Sequence, residues 1–133
     1  MLYLADVRDW IRDLTGYPCY MGKLDRKQPQ SLGVYQRDGR GSADLTPIGG
    51  QKGTRVKSLS LLLHWNQNAD ETEREAWSLY EKLKSPREFP MGDAFVSYIH
   101  LRTTEPVDVG TDDRGIYERV VWMDVYYQNR KDE

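Results

Sequence analysis

The sequence predicts an α+β fold, a mostly antiparallel sheet with two helices packed on it. Three observations predict that class. Two stretches carry apolar residues at the three-four spacing of a helix, others alternate with the two-residue period of a strand, and the order is helix, strands, helix, closing strand pair.

The first helix spans Leu2 to Leu14. Val7, Trp10, Ile11 and Leu14 form one apolar stripe, extended backwards by Tyr3 and Leu4. Thr15-Gly16 stops it, with Gly16 suited to the left-handed terminal position and Pro18 just beyond. "PCYMGKLD" reads as a short strand and "SLGVYQR" (Ser31 to Arg37) as a second. "RVKSLSLLLHWN" alternates cleanly, with Leu59, Leu61, Leu63 and Trp65 on one side and Ser58, Ser60, Leu62 and His64 on the other. Asn68 or Asp70 caps a second helix whose expected inner face is Ala69, Glu73, Ala76, Tyr80 and Leu83, with Trp77 beside it. "SPREFPMG" leads out of that helix, and "AFVSYIHLR" and "IYERVVWMDVYYQ" are two further strands, joined by the loop "TTEPVDVGTDDRG". The expected organisation is a single domain over 1–133, with a flexible glycine-rich loop at about 38–54 and a short charged tail at 129–133.

Composition narrows the function classes. Apolar residues make up 38% and charged residues 30% of the 133, and the net charge is −2 with both signs interspersed. The basic surplus of a dedicated phosphate-gripping protein is missing. The apolar runs are too short for a membrane span, and the arginines and acids of "MLYLADVRDWIRDL" do not read as a signal peptide. The single cysteine, Cys19, fits a reducing cytoplasm and leaves no cysteine-built zinc site. Nine tyrosines and four tryptophans in a chain of mean hydropathy −0.77 suit a protein that contacts other proteins over much of its surface.

The stretch "GRGSADLTPIGGQKGTR" invites a nucleotide-binding reading and fails it. A phosphate loop needs lysine followed directly by Ser or Thr at the start of a helix, whereas Gly53 separates Lys52 from Thr54 and a strand comes next. "DVGTDDRG" lacks the calcium-loop spacing, because the sixth position from Asp108 is Asp113 and the glycine is the eighth. His64 and His100 stand alone in strands, without a ligand or nucleophile at motif spacing. Asp93, Asp108, Asp112 and Asp124 could be gathered into a metal-dependent nuclease centre. Asp124, between Met123 and Val125, could equally pair with an arginine across the sheet or at a subunit interface.

Three blocks carry a resemblance. They are "YPCYMGKLDRKQPQSLGVYQR", "VKSLSLLLHWNQNADETEREAWSLYEKL" and "EPVDVGTDDRGIYERVVWMDVYYQ", the last with Arg114-Gly115 and the ending Asp124-Val125-Tyr126-Tyr127. Read in order from Leu2 to about Gln128, they resemble the tailed-phage minor capsid protein family, which is similar to the tail terminators of long-tailed phages. The resemblance implies a structural virion protein without catalysis or cofactor, made in the bacterial host cytoplasm. It further implies a homo-oligomeric ring, usually hexameric, that caps the tail tube and meets the head–tail connector. Its partners would be further copies of itself, the tail-tube protein and the connector protein, with DNA only as non-specific passing cargo and no membrane. A head-side connector or stopper is the alternative within the structural class, and the nuclease the alternative outside it.

On this reading the candidate interface residues are Arg37, Arg40, Lys52 and Arg55 in and around the glycine-rich loop, and Asp108, Asp112, Asp113 and Arg114 in the acidic turn. The expectation is that the two groups meet across a subunit boundary, where charge complementarity sets register more than affinity. The glycine-rich loop is either an arm that orders on a neighbour or a tolerated surface insertion.

Overall fold

Val7 and Ile11, one helical turn apart, are fully buried in α1 (Leu4–Thr15), with Trp10 and Leu14 packed half-buried beside them. The predicted stripe therefore faces the core from Leu4 onward, whereas Tyr3, expected to extend it, is 63% exposed at the helix start. The computed structural model describes residues 1–22, 29–38, 54–84 and 88–129. At the start of α1 the Asp6 carboxylate accepts the Tyr3 N–H at 2.9 Å, satisfying a backbone donor that the helix leaves over. Gly16 ends it in the left-handed region at φ 79°, its N–H donating to the Arg12 carbonyl at 2.8 Å.

Strands β1 (Cys19–Met21), β2 (Ser31–Gln36) and β3 (Arg55–His64) follow, then α2 (Ala69–Lys84) and strands β4 (Phe89–Met91), β5 (Ala94–Leu101), β6 (Val107–Thr111) and β7 (Tyr117–Asn129). They form one seven-stranded sheet in the order β1-β2-β3-β7-β5-β4, with β6 also paired to β7. Only β1 and β2 pair in parallel; every other described ladder is antiparallel. Strand β7 is the spine. Its whole length from Glu118 to Tyr127 pairs with β3 on one side, while β5 and β6 share the other side end to end.

Both helices lie on one face of this sheet. Leu32, Val34, Leu59, Leu61, Leu63, Val121, Met123 and Val125 point into the core between the layers, where they meet Val7, Ile11, Leu79 and Leu83. A bulge between Val96 and Tyr98 resets the alternation of β5. Ile99 and Leu101 therefore continue the core face, and Tyr98 and His100 turn outward with Tyr126 and Asp124.

Three expectations are corrected. The stretch 103–115 is not all loop: Val107–Thr111 adds to β7, its short valine alternation masked by flanking proline, glycine and acids. Phe89–Met91 is a strand despite Pro90, because β4 is a sheet edge where a missing N–H is tolerated. The inner face of α2 is Thr72, Ala76, Leu79, Tyr80 and Leu83, whereas Ala69 and Glu73 are exposed. Thr72 can go inside because its hydroxyl donates to the Asn68 carbonyl at 2.8 Å, leaving no buried donor unpaired.

The β4–β5 hairpin turns through Gly92 at φ +58°, and a Cβ there would lie 2.5 Å from the Asp6 side chain that caps α1. Gly92→Ala is expected to lower stability by roughly 2–3 kcal/mol, combining left-handed strain with loss of the cap. Urea denaturation measures it, and an unchanged midpoint would refute the contact.

Candidate interface surfaces

Among the described residues no helix covers the second face of the sheet. Its outward positions follow from the ladder registers. Val56 neighbours Tyr126, Ser58 neighbours Asp124, Ser60 neighbours Trp122, and Leu62 neighbours Val120. Across β7, Tyr98 stands beside Tyr126, His100 beside Asp124 and Val107 beside Val120, with Arg102 donating its backbone N–H to Trp122. Tyr98 is 51%, Trp122 44% and Val107 45% exposed, a concentration of large apolar side chains at the surface. Tyr98 stacks on Tyr126 with ring centroids 4.4 Å apart.

A buried carboxylate sits in the middle of that face. Asp124 is fully buried and accepts a hydrogen bond from the Arg37 guanidinium at 2.6 Å, with Arg102 3.6 Å from its other oxygen. The Arg37 guanidinium also lies 4.8 Å from the centre of the Trp122 ring. Of the two roles the sequence leaves open for Asp124, pairing with an arginine across the sheet is the one the fold shows.

A second buried network closes the far end of the same face. His64 is 1% exposed and donates from Nδ1 to Glu118 at 3.0 Å, while its Nε2 lies 3.7 Å from Asp112. Asp112 also organises the turn into β7, its Oδ1 accepting the N–H groups of Arg114 and Ile116 at 2.8 and 3.0 Å. Sequence spacing could not reveal this cluster, because its three members come from β3, the acidic turn and β7.

The predicted interface residues fall into two groups at opposite ends of the long β3–β7 ladder. Arg55 opens β3 beside Tyr127, whereas Asp108, Asp112, Asp113 and Arg114 surround the β6–β7 turn at the Glu118 end. Nine residues of strand separate these ends, roughly 30 Å. Arg37 is engaged with Asp124 within its own chain, and Arg40 and Lys52 lie outside the described residues. Among the described residues, neither Arg37 nor Arg55 meets the acidic turn inside one chain.

A family model for bacteriophage tail terminator proteins matches residues 1–129, nearly the full length. The chain belongs to the bacteriophage tail terminator family. No curated protein matches the chain. Membership makes this a structural protein of the phage tail and a component of the virion. Among the described residues no helix is long and apolar enough to cross a membrane.

In this tail terminator family member the acids once open to a nuclease reading are strung out along β7. Asp93 stands in the β4–β5 turn near Asn129, Asp124 under its two arginines, and Asp112 beyond Tyr117. Among the described residues no three His, Cys, Asp or Glu side chains come together as metal ligands.

Cys19, half-buried in β1 beside α1, has its thiol pushed up to about 11 by burial, against the opposing pull of Arg12 and Arg8. Raising the pKa removes thiolate, the reactive form. At pH 8 the native chain is expected to react with a maleimide about 100-fold more slowly than after unfolding in urea. Equal rates would contradict the buried setting.

Proposed function

We propose that copies of this chain form a closed ring, hexameric in the assembled particle, that caps the tail tube, ends its growth and joins the tail to the head connector. Family membership supports the tail role. The observation that carries the ring is the open sheet face, where exposed Tyr98 and Trp122 surround the buried Arg37–Asp124 ion pair. Aromatic and arginine side chains of this kind anchor protein–protein contacts. A closed ring also needs two different patches on each copy, and the charge groups at opposite ends of β3 and β7 supply a second element of complementarity. Arg55, with Arg40 and Lys52 of the glycine-rich loop, would meet Asp108 and Asp113 of the next copy, Asp112 being engaged inside its own chain. DNA passes through the ring without sequence-specific contacts.

The test is assembly. Purified chain mixed with purified tail-tube protein is expected to shorten the tubes and mark their ends with rings in electron micrographs. Light scattering is expected to give a discrete multiple of 15.5 kDa for the chain. Tubes that grow unchecked, with the chain monomeric beside them, would overturn the reading.

A further inference from the structure

We infer that the open sheet face of each copy docks on the helical layer of the next, with the Tyr98–Trp122 stripe seated against the groove between α1 and the β4–β5 turn. The inference rests on the ring reading and names its contact surface. Two features of the chain match each other across that contact.

The first is the stripe. Tyr98, His100, Arg102 and Val107 follow one another along the outer side of β7, and Trp122 stands beside Arg102. Its apolar members are about half exposed. Its polar centre carries a positive excess, because the one carboxylate of Asp124 lies between the two guanidinium groups of Arg37 and Arg102.

The second is the groove. Trp10, Pro90 and Met91 give it an apolar floor around a volume of about 230 Å³, and Asp6, Asp9 and Asp13 rim it with carboxylates, of which Asp9 is paired with Arg8 and Arg12 of the same helix. The helix that walls it, α1, carries three acidic side chains against two basic ones. An aromatic stripe with a cationic centre thus faces an apolar groove with an anionic rim.

A second copy of the chain is the occupant that this complementarity selects. Packing the sheet face on itself about a twofold axis would bring like charges together around Arg102, which opposes that arrangement. Packing it on the helical layer pairs opposite charges. The two surfaces lie on opposite layers of the fold, so one copy can use both at once, as a head-to-tail ring requires. Nucleic acid laid on the Arg102 stripe is the competing occupant, and the test separates it.

Cross-linking by position provides that test, in a Cys19→Ser background. Chains carrying Tyr98→Cys and chains carrying Asp13→Cys are prepared separately, checked for folding by circular dichroism, and treated with a short bis-maleimide. Each alone is expected to remain a single chain, their mixture to give a dimer, and the Tyr98→Cys/Asp13→Cys double variant to give a ladder of oligomers. In otherwise wild-type chain, Trp122→Ala is expected to raise the concentration needed for assembly about 10-fold or more. Oligomers that form normally but never cross-link between the two positions would overturn this contact and leave the ring standing. A dimer from Tyr98→Cys alone would overturn it in favour of twofold packing, and loss of cross-linking on adding single-stranded DNA would overturn it in favour of a nucleic-acid surface. Wild-type chain that stays monomeric at every concentration, with and without tube protein, would remove the ring and this contact together.

Discussion

Asp124→Ala is expected to lower stability by about 3–5 kcal/mol, the range for removing one partner of a buried ion pair. The carboxylate is fully buried, and Arg37, with only 12% of its side chain exposed, would be left with its charge uncompensated. Arg102, more open to water, would relax outward and lose less. Denaturant unfolding followed by tryptophan fluorescence measures the loss, and Trp122 under Arg37 reports the site directly. The double variant Arg37→Leu/Asp124→Leu should recover much of the loss, because a matched apolar pair leaves no stranded charge. A loss below about 1 kcal/mol for Asp124→Ala would place the pair among ordinary surface salt bridges.

His64→Ala is expected to cost about 2–4 kcal/mol, through an unfilled cavity and the stranding of the Glu118 and Asp112 side chains. Its consequence should be local as well as global. His64 ties β3 to Glu118 on β7 and stands beside Asp112, whose carboxylate holds the turn backbone at Arg114 and Ile116. Hydrogen exchange is therefore expected to rise first across β6 and the 112–116 turn, ahead of the β2–β3 ladder. Uniform loss of protection over the whole sheet would show that His64 acts only as core filling.

The fold was legible where one physical signal dominated. Leu59, Leu61 and Leu63 alternate without interruption, and all three are buried as that alternation requires. Val7 and Ile11 were placed by spacing, and Gly16 by the need for a left-handed helix end. The signal failed where neighbours decide the outcome. Val107–Thr111 is a strand because β7 is long enough to offer it an unfilled stretch of ladder, a fact about the partner and not about "VDVGT". Thr72 is buried through a hydrogen bond to its own helix, which hydrophobic periodicity cannot register. The outward turn of Tyr98 depends on a bulge, and before it Val96 and Tyr98 look like members of one face. Asp124 was conspicuous as an acid in an apolar strand, but its partner Arg37 is 87 residues away in sequence. The His64 cluster left no local trace at all.

Strand β7 makes every ladder that joins β3 to β5 and β6. Without it, β1, β2 and β3 would form one fragment of sheet, β4 and β5 another, and β6 would have no partner among the described strands. Its pairs with β3 also join residues at least 54 positions apart, the kind of closure that comes late in folding. A polypeptide emerging from the ribosome therefore cannot present the proposed docking stripe until Tyr117–Asn129 has been made, since Trp122 and the support beneath Tyr98 arrive with that strand. If the proposed contact holds, a chain that stops short of β7 has no stripe to offer a neighbouring copy.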